Sequence, residues 1–400
     1  MSLMPVAEAL EKLLSDVSRL EPEAVALEKA NGRVLAENLV SKRTQPPFAA
    51  SAMDGYATRH RDLAVGSELD VIGEAPAGHG FAGALGAGQA VRIFTGAPVP
   101  EGADTILIQE DASRNDDRIT VNEVPRNGAF VRPAGLDFQE NQILLSPPLK
   151  LTYRHLALAA AMNHPHLPVV KQPKVAILAT GDELVRPGSE PGPDQIIASN
   201  HAGIAAMVED CGGLPLDLGI SPDDPVALAG HVRRALSEEA DILVTLGGAS
   251  VGDHDLVQEV LGQEGMDLAF WRIAMRPGKP LMAGRLGRTR VLGLPGNPVS
   301  SLVCGLLFLR PLIRKMLGLP SGLSAPKQAF LGANLGENDR RQDYVRATLH
   351  EDADGRLIAT PFETQDSSML ALLAKSGALI IRPPHAPAQE AGAAAEILVL

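Results

Sequence analysis

The alternation of apolar and polar residues divides the chain into helical and β-type segments. Apolar residues recur at helical spacing between Val6 and Val17, with charged residues on the opposite face, which predicts an amphipathic opening helix. Helical spacing returns at residues 151–162. Between them, from about residue 46 to 145, short apolar runs alternate with Gly, Pro and Asp turns. We therefore expect a helical domain (residues 1–45 and 146–172) that carries an inserted β-rich domain (46–145).

From Lys174 onwards, strand and helix patterns alternate. Short, wholly apolar runs such as Val175–Ala179 are followed by amphipathic helical segments, and this order favours βαβ units around a mostly parallel sheet. The C-terminal residues return to short strand patterns. The predicted fold class is multidomain α/β plus β: a central, mostly parallel three-layer α/β domain (173–319), an N-terminal helical layer, the inserted β-rich domain and a small C-terminal β domain (320–400).

Composition and charge exclude several classes of protein. The 400 residues carry a net charge of −12, which disfavours a broad nucleic-acid-binding face, because neutralising phosphates needs concentrated Lys and Arg. Cys211 and Cys304 have no Cys or His at metal-ligand spacing, so a disulfide scaffold or zinc site is disfavoured. The longest apolar runs, such as Leu302–Leu309, fall short of the ~20 residues of a membrane helix. Because the acidic N-terminus also lacks a secretory pattern, we expect a cytoplasmic protein that binds neither membrane nor nucleic acid.

Three loops that follow predicted sheet strands carry candidate chemistry. They are Thr180–Glu183, Gly247–Asp255 and Pro295–Pro298, and each combines Gly or Pro with polar side chains. Loops after parallel strands lie at one edge of the sheet, where ligands of such folds bind. We therefore expect the three loops to converge.

The second of these loops predicts an anion site and a metal together. Its glycines and Ser250 precede a helix and offer backbone N–H groups to an anion. Asp253 and Asp255 would repel that anion unless a divalent cation lay between them. Mg²⁺ bound to one or two carboxylates and to phosphate oxygens resolves the conflict, and Glu183 or Asp182 could complete its site. The alternative is that Asp253 only caps the helix.

Two further segments contain candidate binding residues. In Arg276-Pro-Gly-Lys-Pro280, two prolines hold Arg276 and Lys279 in a fixed loop, and both side chains could bind a phosphate or another oxyanion. The alternative is that both are solvated surface charges. The segment Pro46–Tyr56 is rich in small residues, which indicates close backbone approach, and Asp54 is its only acid. A plain β-turn is the alternative there. No histidine receives a catalytic role, and no nucleophile elbow or Walker loop is found.

The candidate loops form a set of motifs in a fixed order along nearly the whole chain. The motifs are Ser51-Ala-Met-Asp-Gly-Tyr-Ala57, Thr95-Gly-Ala97 with Pro100-x-Gly-Ala-Asp104, Thr180-Gly-Asp-Glu-Leu184, Gly247-Gly-x-Ser-Val-Gly252 with Asp255, Pro277-Gly-Lys-Pro280 and Leu294-Pro-Gly-Asn-Pro298. In this order they resemble one family, the molybdopterin molybdenumtransferases of molybdenum cofactor synthesis, which are related to the E domain of gephyrin.

The resemblance implies an elongated homodimer with four domains per chain. It also implies the reaction: adenylylated molybdopterin and molybdate are the substrates, the adenylate is cleaved in a Mg²⁺-dependent step, and molybdenum cofactor and AMP are released. Contact with the molybdopterin adenylyltransferase of the preceding step is a further implication. In this hypothesis, Mg²⁺ on Asp255 and Glu183 polarises the pyrophosphate, and nearby cations stabilise the leaving AMP.

Functional positions of the family carry over to this sequence one residue at a time. The implied catalytic residues are Asp54, Thr95, Asp137, Glu183, Asp223 and Asp255, of which Glu183 and Asp255 are the implied metal ligands. The implied substrate-binding residues are Ser250, Gly252, Arg272, Arg276, Lys279, Pro295, Pro298, Arg346 and Ser367. Arg340, Arg341 and Ser368 are alternatives for the last two. Many members have lysine in place of Arg276. This chain therefore has a planar guanidinium group where those members have a compact ammonium group.

Three alternatives remain at this stage. A scaffold protein would keep the fold without the chemistry, but it would not need acids at positions 54, 183, 223 and 255. The adenylyltransferase of the preceding step shares the α/β domain but lacks the insert and the C-terminal domain. Tungstate insertion by the same mechanism is not excluded by any residue.

Overall fold

The computed structural model describes residues 3–248, 256–323 and 325–400. The chain forms two compact units: a smaller unit, Ala24–Val169, and a larger unit, Met1–Glu23 with Val170–Leu400. The helices are α1 (Val6–Leu14), α2 (Tyr153–Ala161), α3 (Asn200–Cys211), α4 (Pro225–Ser237), α5 (Leu256–Gln263), α6 (Pro298–Cys304), α7 (Arg310–Met316) and α8 (Leu370–Ala374). None of the described helices is long and apolar enough to cross a membrane.

The smaller unit is built mostly from short strands. These are β1 (Pro22–Ala26), β2 (Val34–Leu35), β3 (Leu39–Val40), β4 (Ala50–Ser51), β5 (Gly55–Thr58), β6 (Glu68–Ala75), β7 (Gln89–Ile93), β8 (Thr105–Ile108), β9 (Ala112–Asn115), β10 (Arg118–Val121), β11 (Val131–Arg132), β12 (Ile143–Leu145), β13 (Leu149–Lys150) and β14 (His166–Val170). A six-stranded sheet has the order β8-β5-β7-β6-β10-β9, and a four-stranded sheet has the order β1-β14-β2-β13. The predicted β-rich character of this region is confirmed.

The larger unit contains the remaining strands. They are β15 (Lys174–Thr180), β16 (Leu184–Val185), β17 (Ile196–Ile197), β18 (Leu214–Ser221), β19 (Ile242–Leu246), β20 (Asp267–Trp271), β21 (Met275–Arg276), β22 (Met282–Leu286), β23 (Thr289–Leu294), β24 (Lys327–Leu331), β25 (Gln342–Glu351), β26 (Leu357–Pro361), β27 (Ala378–Arg382) and β28 (Ala394–Val399). The main sheet has the order β18-β15-β19-β23-β22-β20. The pairings among its first four strands are parallel, and β22 pairs antiparallel with both β23 and β20, so five of the six strands run in one direction, which confirms the predicted, mostly parallel sheet.

Helices cover both faces of this sheet because its strands are apolar on both sides. Every residue of β19 is buried, as expected of a strand in a parallel sheet. Helices α4 and α5 pack Leu228, Val232 and Leu261 into the core on one face. Helix α3 packs against α6 and α7. It ends at Gly212, whose φ of +92° forms a left-handed C-cap.

The C-terminal β part is a small closed sheet. Its strand order is β21-β25-β26-β24-β28-β27, and an additional β25–β27 pairing closes a ring of five strands. Alternate residues such as Val345, Ala347 and Ile380 fill its core. The small C-terminal β domain in the predicted fold class is therefore confirmed.

The expected shared helical layer differs from the structure. Helix α1 belongs to the larger unit, where it contacts α7 and β20. Helix α2 belongs to the smaller unit and packs with the core that includes Leu35 and Leu167. Both helices were predicted, but the idea that one layer contains them is wrong. Amphipathic spacing identifies a helix that needs a partner surface without identifying that surface.

Candidate functional site

The three predicted loops converge at the carboxyl ends of β15, β19 and β23. These strands are adjacent and parallel. The Gly247 N–H donates to the Leu294 carbonyl at 3.1 Å, and Asn200 Nδ2 donates to the Gly296 carbonyl at 2.7 Å. The loops must approach closely at Gly247, where φ is +97° and an added Cβ would lie 2.9 Å from the Thr180 carbonyl oxygen. Only glycine fits this position.

The loops enclose a cleft of about 680 Å³. We call this space the cleft. The residues that line it come from the segment that begins in β15 and ends just after β19, from the loop before β22, from the loop after β23 with the start of α6, and from the C-terminal part. They are Ala179, Thr180, Gly181, Glu183, Leu184, Ile196, Ile197, Ala198, Ser199, Asn200, His201, Asp223, Leu246, Gly247, Gly248, Pro280, Pro295, Gly296, Asn297, Pro298, Ser300 and Ser368. Glu183, Asp223, Pro295 and Pro298 are thus brought together as the sequence predicts. Ser250, Gly252 and Asp255 lie outside the described residues.

Two carboxylates supply the negative charge of the cleft. Glu183 and Asp223 are both exposed to it. Their loops are linked, because Asp182 Oδ1 accepts the Asp223 N–H at 3.1 Å. The Glu183 carbonyl also accepts the Ile196 N–H at 2.7 Å. This bond holds the first residue of β17, which lines the cleft, close to Glu183. Among the described residues, no group of three His, Cys, Asp or Glu side chains could enclose a metal ion. The described groups of the cleft that could bind a metal ion are therefore carboxylate oxygens, and they do not enclose the ion.

The C-terminal part reaches the cleft through Ser367 and Ser368. Asn297 Nδ2 donates to Ser367 Oγ at 2.9 Å, and the Val299 N–H donates to the Ser367 carbonyl at 3.1 Å. Ser367 thus fastens this segment to the start of α6, whereas Ser368 lines the cleft.

Arg346 lies beneath that segment and is almost fully buried, with 1% of its surface exposed. Its guanidinium donates to the carbonyls of Asp366 at 2.9 Å and Met369 at 3.2 Å, and to Gln365 Oε1 at 3.3 Å. Burial lowers the pKa of Arg346. These contacts give Arg346 a supporting position under the segment rather than a place among the lining residues of the cleft.

The other three predicted cations are also absent from the described lining of the cleft. Arg276 donates from Nε to Asp343 Oδ2 at 3.0 Å, makes a second, shorter contact to the same oxygen, and lies 3.7 Å from Asp339. Hydrogen bonding to Asp343 raises the pKa of Arg276. Arg272 stacks on the ring of Trp271 at 4.0 Å, and Lys279 is half-buried.

Asp54 and Thr95 form a pair in the smaller unit. Asp54 Oδ1 accepts both the Thr95 N–H and the Thr95 hydroxyl, each at 2.7 Å. These two bonds, the backbone bond above all, lower the pKa of Asp54. Asp137 is exposed, and its N–H donates to the Gln45 carbonyl at 3.0 Å. The substrate roles implied for these three residues stay predictions.

His201 is a cleft residue that was not among the residues predicted from the sequence. It lies in the first turn of α3, directly after Asn200, and it lines the cleft. A signal was present, because a helix that starts at the carboxyl edge of a parallel sheet directs its first residues toward the ligand site. Histidine composition and spacing alone did not reveal it.

Comparison with known proteins places these features in a family. The MoeA N-terminal region (domain I and II) matches residues 4–163, a probable molybdopterin binding domain matches 176–315, and the MoeA C-terminal region (domain IV) matches 328–400. The chain is 37% identical to the molybdopterin molybdenumtransferase of Nostoc sp. over 345 residues, which are 83% of this chain and 78% of the relative. The relative of the same name from Haemophilus influenzae is 34% identical over 382 residues, 95% of this chain and 94% of the relative.

A solved structure agrees with these relatives. A crystal structure of the molybdopterin biosynthesis MoeA protein from Pyrococcus horikoshii superimposes with a TM-score of 0.86 at 29% identity, covering 100% of this chain and 99% of that one. The family resemblance given by the motifs is therefore confirmed along the whole chain. The chain belongs to the molybdopterin molybdenumtransferase (MoeA) family, whose members serve molybdenum cofactor biosynthesis.

Proposed function

We propose that this chain inserts molybdenum from molybdate into adenylylated molybdopterin and releases AMP. The observation that carries the proposal is the cleft, in which the loops that carry the family's motifs meet around Glu183 and Asp223. Its volume of about 680 Å³ lies within the range of ~300–1,000 Å³ that is usual for small-molecule sites. Family membership supplies the chemical identity of the substrate.

Features at the edge of the cleft suit a phosphate-containing substrate. Ser199 and Asn200 place the beginning of the 12-residue helix α3 at the cleft, and the first backbone N–H groups of a helix attract anions. The two carboxylates have the opposite effect on an anion. A cation between carboxylate and phosphate would remove this conflict.

Mg²⁺ fits the donor set of the cleft. Mg²⁺ uses one or two carboxylates and completes its shell with water and phosphate oxygens, and the described residues offer carboxylates without a closed cage. Glu183 would hold the ion together with Asp255, which lies outside the described residues. When bound, Mg²⁺ supplies charge neutralisation and polarisation of the pyrophosphate. Asn297 and Ser368 would then orient the substrate through their polar side chains.

Assembly, partner and location belong to the same proposal. The family resemblance implies a homodimer, contact with the molybdopterin adenylyltransferase and a cytoplasmic location. Light scattering on the purified chain, alone and mixed with that adenylyltransferase, tests the first two: a monomer at all concentrations would contradict the dimer.

The reaction can be tested with purified components. The chain is mixed with adenylylated molybdopterin, Mg²⁺ and either molybdate or tungstate, and released AMP is measured by chromatography. We expect AMP only when oxyanion and Mg²⁺ are both present. Glu183→Gln should slow AMP release about 100-fold, the size of effect seen when one charge-stabilising group is removed from an active site.

Glu190→Gln is the matched control, because Glu190 is exposed in the same connection but does not line the cleft. It should keep wild-type activity. Wild-type protein that releases no AMP with either oxyanion would overturn the proposed reaction, and full activity of Glu183→Gln would overturn the metal role of Glu183.

A further inference from the structure

The charge of the cleft leaves an anionic substrate without an obvious protein cation. Glu183 and Asp223 are acidic, and the remaining described lining residues are polar or apolar. Among the described lining residues, His201 alone can carry a positive charge. A cation at this position would strengthen the binding of a substrate that contains a pyrophosphate.

His201 lies against a carboxylate outside the cleft. Its Nε2 is 3.0 Å from Asp217 Oδ1, and 23% of its side chain is exposed. Nε2 itself is buried, and its geometry toward Asp217 is outside that of a hydrogen bond. The contact is an ion pair when the imidazole is protonated. A carboxylate thus lies directly beside the one described cleft residue that can carry a positive charge.

Asp217 is fixed by its own neighbours. Its Oδ2 lies 3.2 Å from Arg186 Nη1, and its Oδ1 accepts the Gly219 N–H at 2.6 Å. Burial acts to raise the pKa of Asp217, but the Gly219 N–H, His201 and Arg186 together hold this pKa below its ordinary value. The carboxylate that faces His201 therefore stays ionised.

A bulge in β18 presents Asp217 to His201. Asp217 pairs with Ile177 and Gly219 pairs with Leu178, so one extra residue stands between two consecutive positions of β15. Such a bulge redirects the side chains beside it. Gly219 has φ +90°, and a Cβ there would lie 3.3 Å from Arg186 Nη2. The left-handed backbone conformation thus favours glycine at this position.

We propose that His201 is a substrate-binding cation of the cleft that contacts the phosphate of the adenylyl group, and that Asp217, held by Arg186 and the Gly219 bulge, is its positioning residue. This inference rests on the proposed function, because the adenylyl phosphate is its ligand. Glu183 and Asp223 face the same space and oppose a bare anion, so His201 compensates part of their charge.

Binding of AMP to the full chain tests the proposal directly. AMP is titrated by calorimetry in the presence of a chelator, so that no divalent ion contributes. His201→Gln should weaken AMP binding about tenfold, as expected when one charge-assisted contact is lost. His201→Lys restores a positive charge without an imidazole and should bind AMP nearly as tightly as the wild type. Asp217→Asn should weaken binding less than His201→Gln does.

His79→Gln is the matched control, because His79 is exposed in a loop of the smaller unit; it should leave AMP binding unchanged. In the AMP-release assay, His201→Gln should raise KM for adenylylated molybdopterin more than it lowers kcat. Circular dichroism verifies that each variant is folded.

Three results would overturn the proposal: unchanged AMP affinity in His201→Gln, failure of the lysine to restore it, or no AMP binding by the wild type. The proposed function fails differently, through absence of molybdate-dependent AMP release in the wild type. Each failure can therefore be recognised without the other.

Discussion

The larger unit contains charged residues in two contrasting settings. In the cleft, Glu183 and Asp223 stand on loops and are exposed. In the C-terminal β part, Arg346 and Arg382 are 1% and 3% exposed, and each donates to several main-chain carbonyls. The first setting leaves charge available to a ligand, and the second uses charge to hold the protein together. Residue type alone does not distinguish them.

The topology of each region explains the contrast. Parallel strands all end at one edge, so their loops gather polar groups around a shared space. The C-terminal part instead has long irregular segments between its strands, such as residues 362–369 and 383–393, whose carbonyls need donors. Arginine, with five N–H donors, can satisfy several carbonyls at once. Arg346 and Arg382 therefore supply hydrogen bonds to carbonyls that are not bonded within regular secondary structure.

The largest effect should come from removing such an arginine. Arg346→Met keeps the length of the side chain but leaves the carbonyls of Asp366 and Met369 without their donor. We expect a loss of about 3 kcal/mol in the free energy of unfolding, because the partners of a buried charged group are left unsatisfied. The measurement is urea unfolding followed by circular dichroism.

The control for this variant is Arg356→Met. Arg356 is 55% exposed and pairs with Asp352 at 2.8 Å on the surface of the same β part, so its loss should cost about 0.5 kcal/mol or less. Equal urea midpoints for the two variants would contradict the structural role of Arg346.

A smaller effect is expected at Arg276, which the sequence assigns to substrate binding and the structure pairs with Asp343. Arg276 is 47% exposed. Arg276→Gln should therefore destabilise the protein by only about 1 kcal/mol, and AMP affinity should stay near the wild-type value. Calorimetry with AMP and urea unfolding are measured on the same preparation. A tenfold loss of AMP affinity at unchanged stability would instead support the substrate-binding role that the family resemblance implies for Arg276.

Much of the fold could be predicted from the sequence because the pattern was local. The buried strands β15, β19 and β23, helix α3 and its Gly212 cap all follow from apolar spacing and glycine. The antiparallel strand β22 was not predicted, because Met282–Leu286 contains Gly and Arg and shows no clear alternation. The partner of helix α1 also depended on distant parts of the chain.

The candidate site was predictable to the extent that strand ends determine it. The convergence of three loops required only that three parallel strands be neighbours. The hydrogen-bond partners of the arginines could not be predicted, since those of Arg276 and Arg346 lie 67 and 20 residues further along the chain. His201 could not be identified for the same reason. Its contact with Asp217 forms only when β18 and α3 are packed together.

Asp54 offers the finest test of the contrast, because it is half-buried, between the exposed cleft acids and the buried arginines, and its carboxylate is bonded to Thr95. The Thr95 N–H and hydroxyl hold the pKa of Asp54 below its ordinary value of 3.8. A lowered carboxyl pKa stabilises the folded state above that ordinary value, and this contribution fades as pH falls through the folded-state pKa. Thr95→Val removes the hydroxyl bond and keeps the backbone bond, so the pKa should rise part of the way toward 3.8. The urea midpoint of Thr95→Val should therefore lie slightly below that of the wild type at pH 7 and approach it as the pH falls below 3.8 and through the lowered pKa of Asp54, whereas Thr95→Ser should follow the wild type throughout. A difference between wild type and Thr95→Val that does not change with pH would show that the hydroxyl does not act through the charge of Asp54.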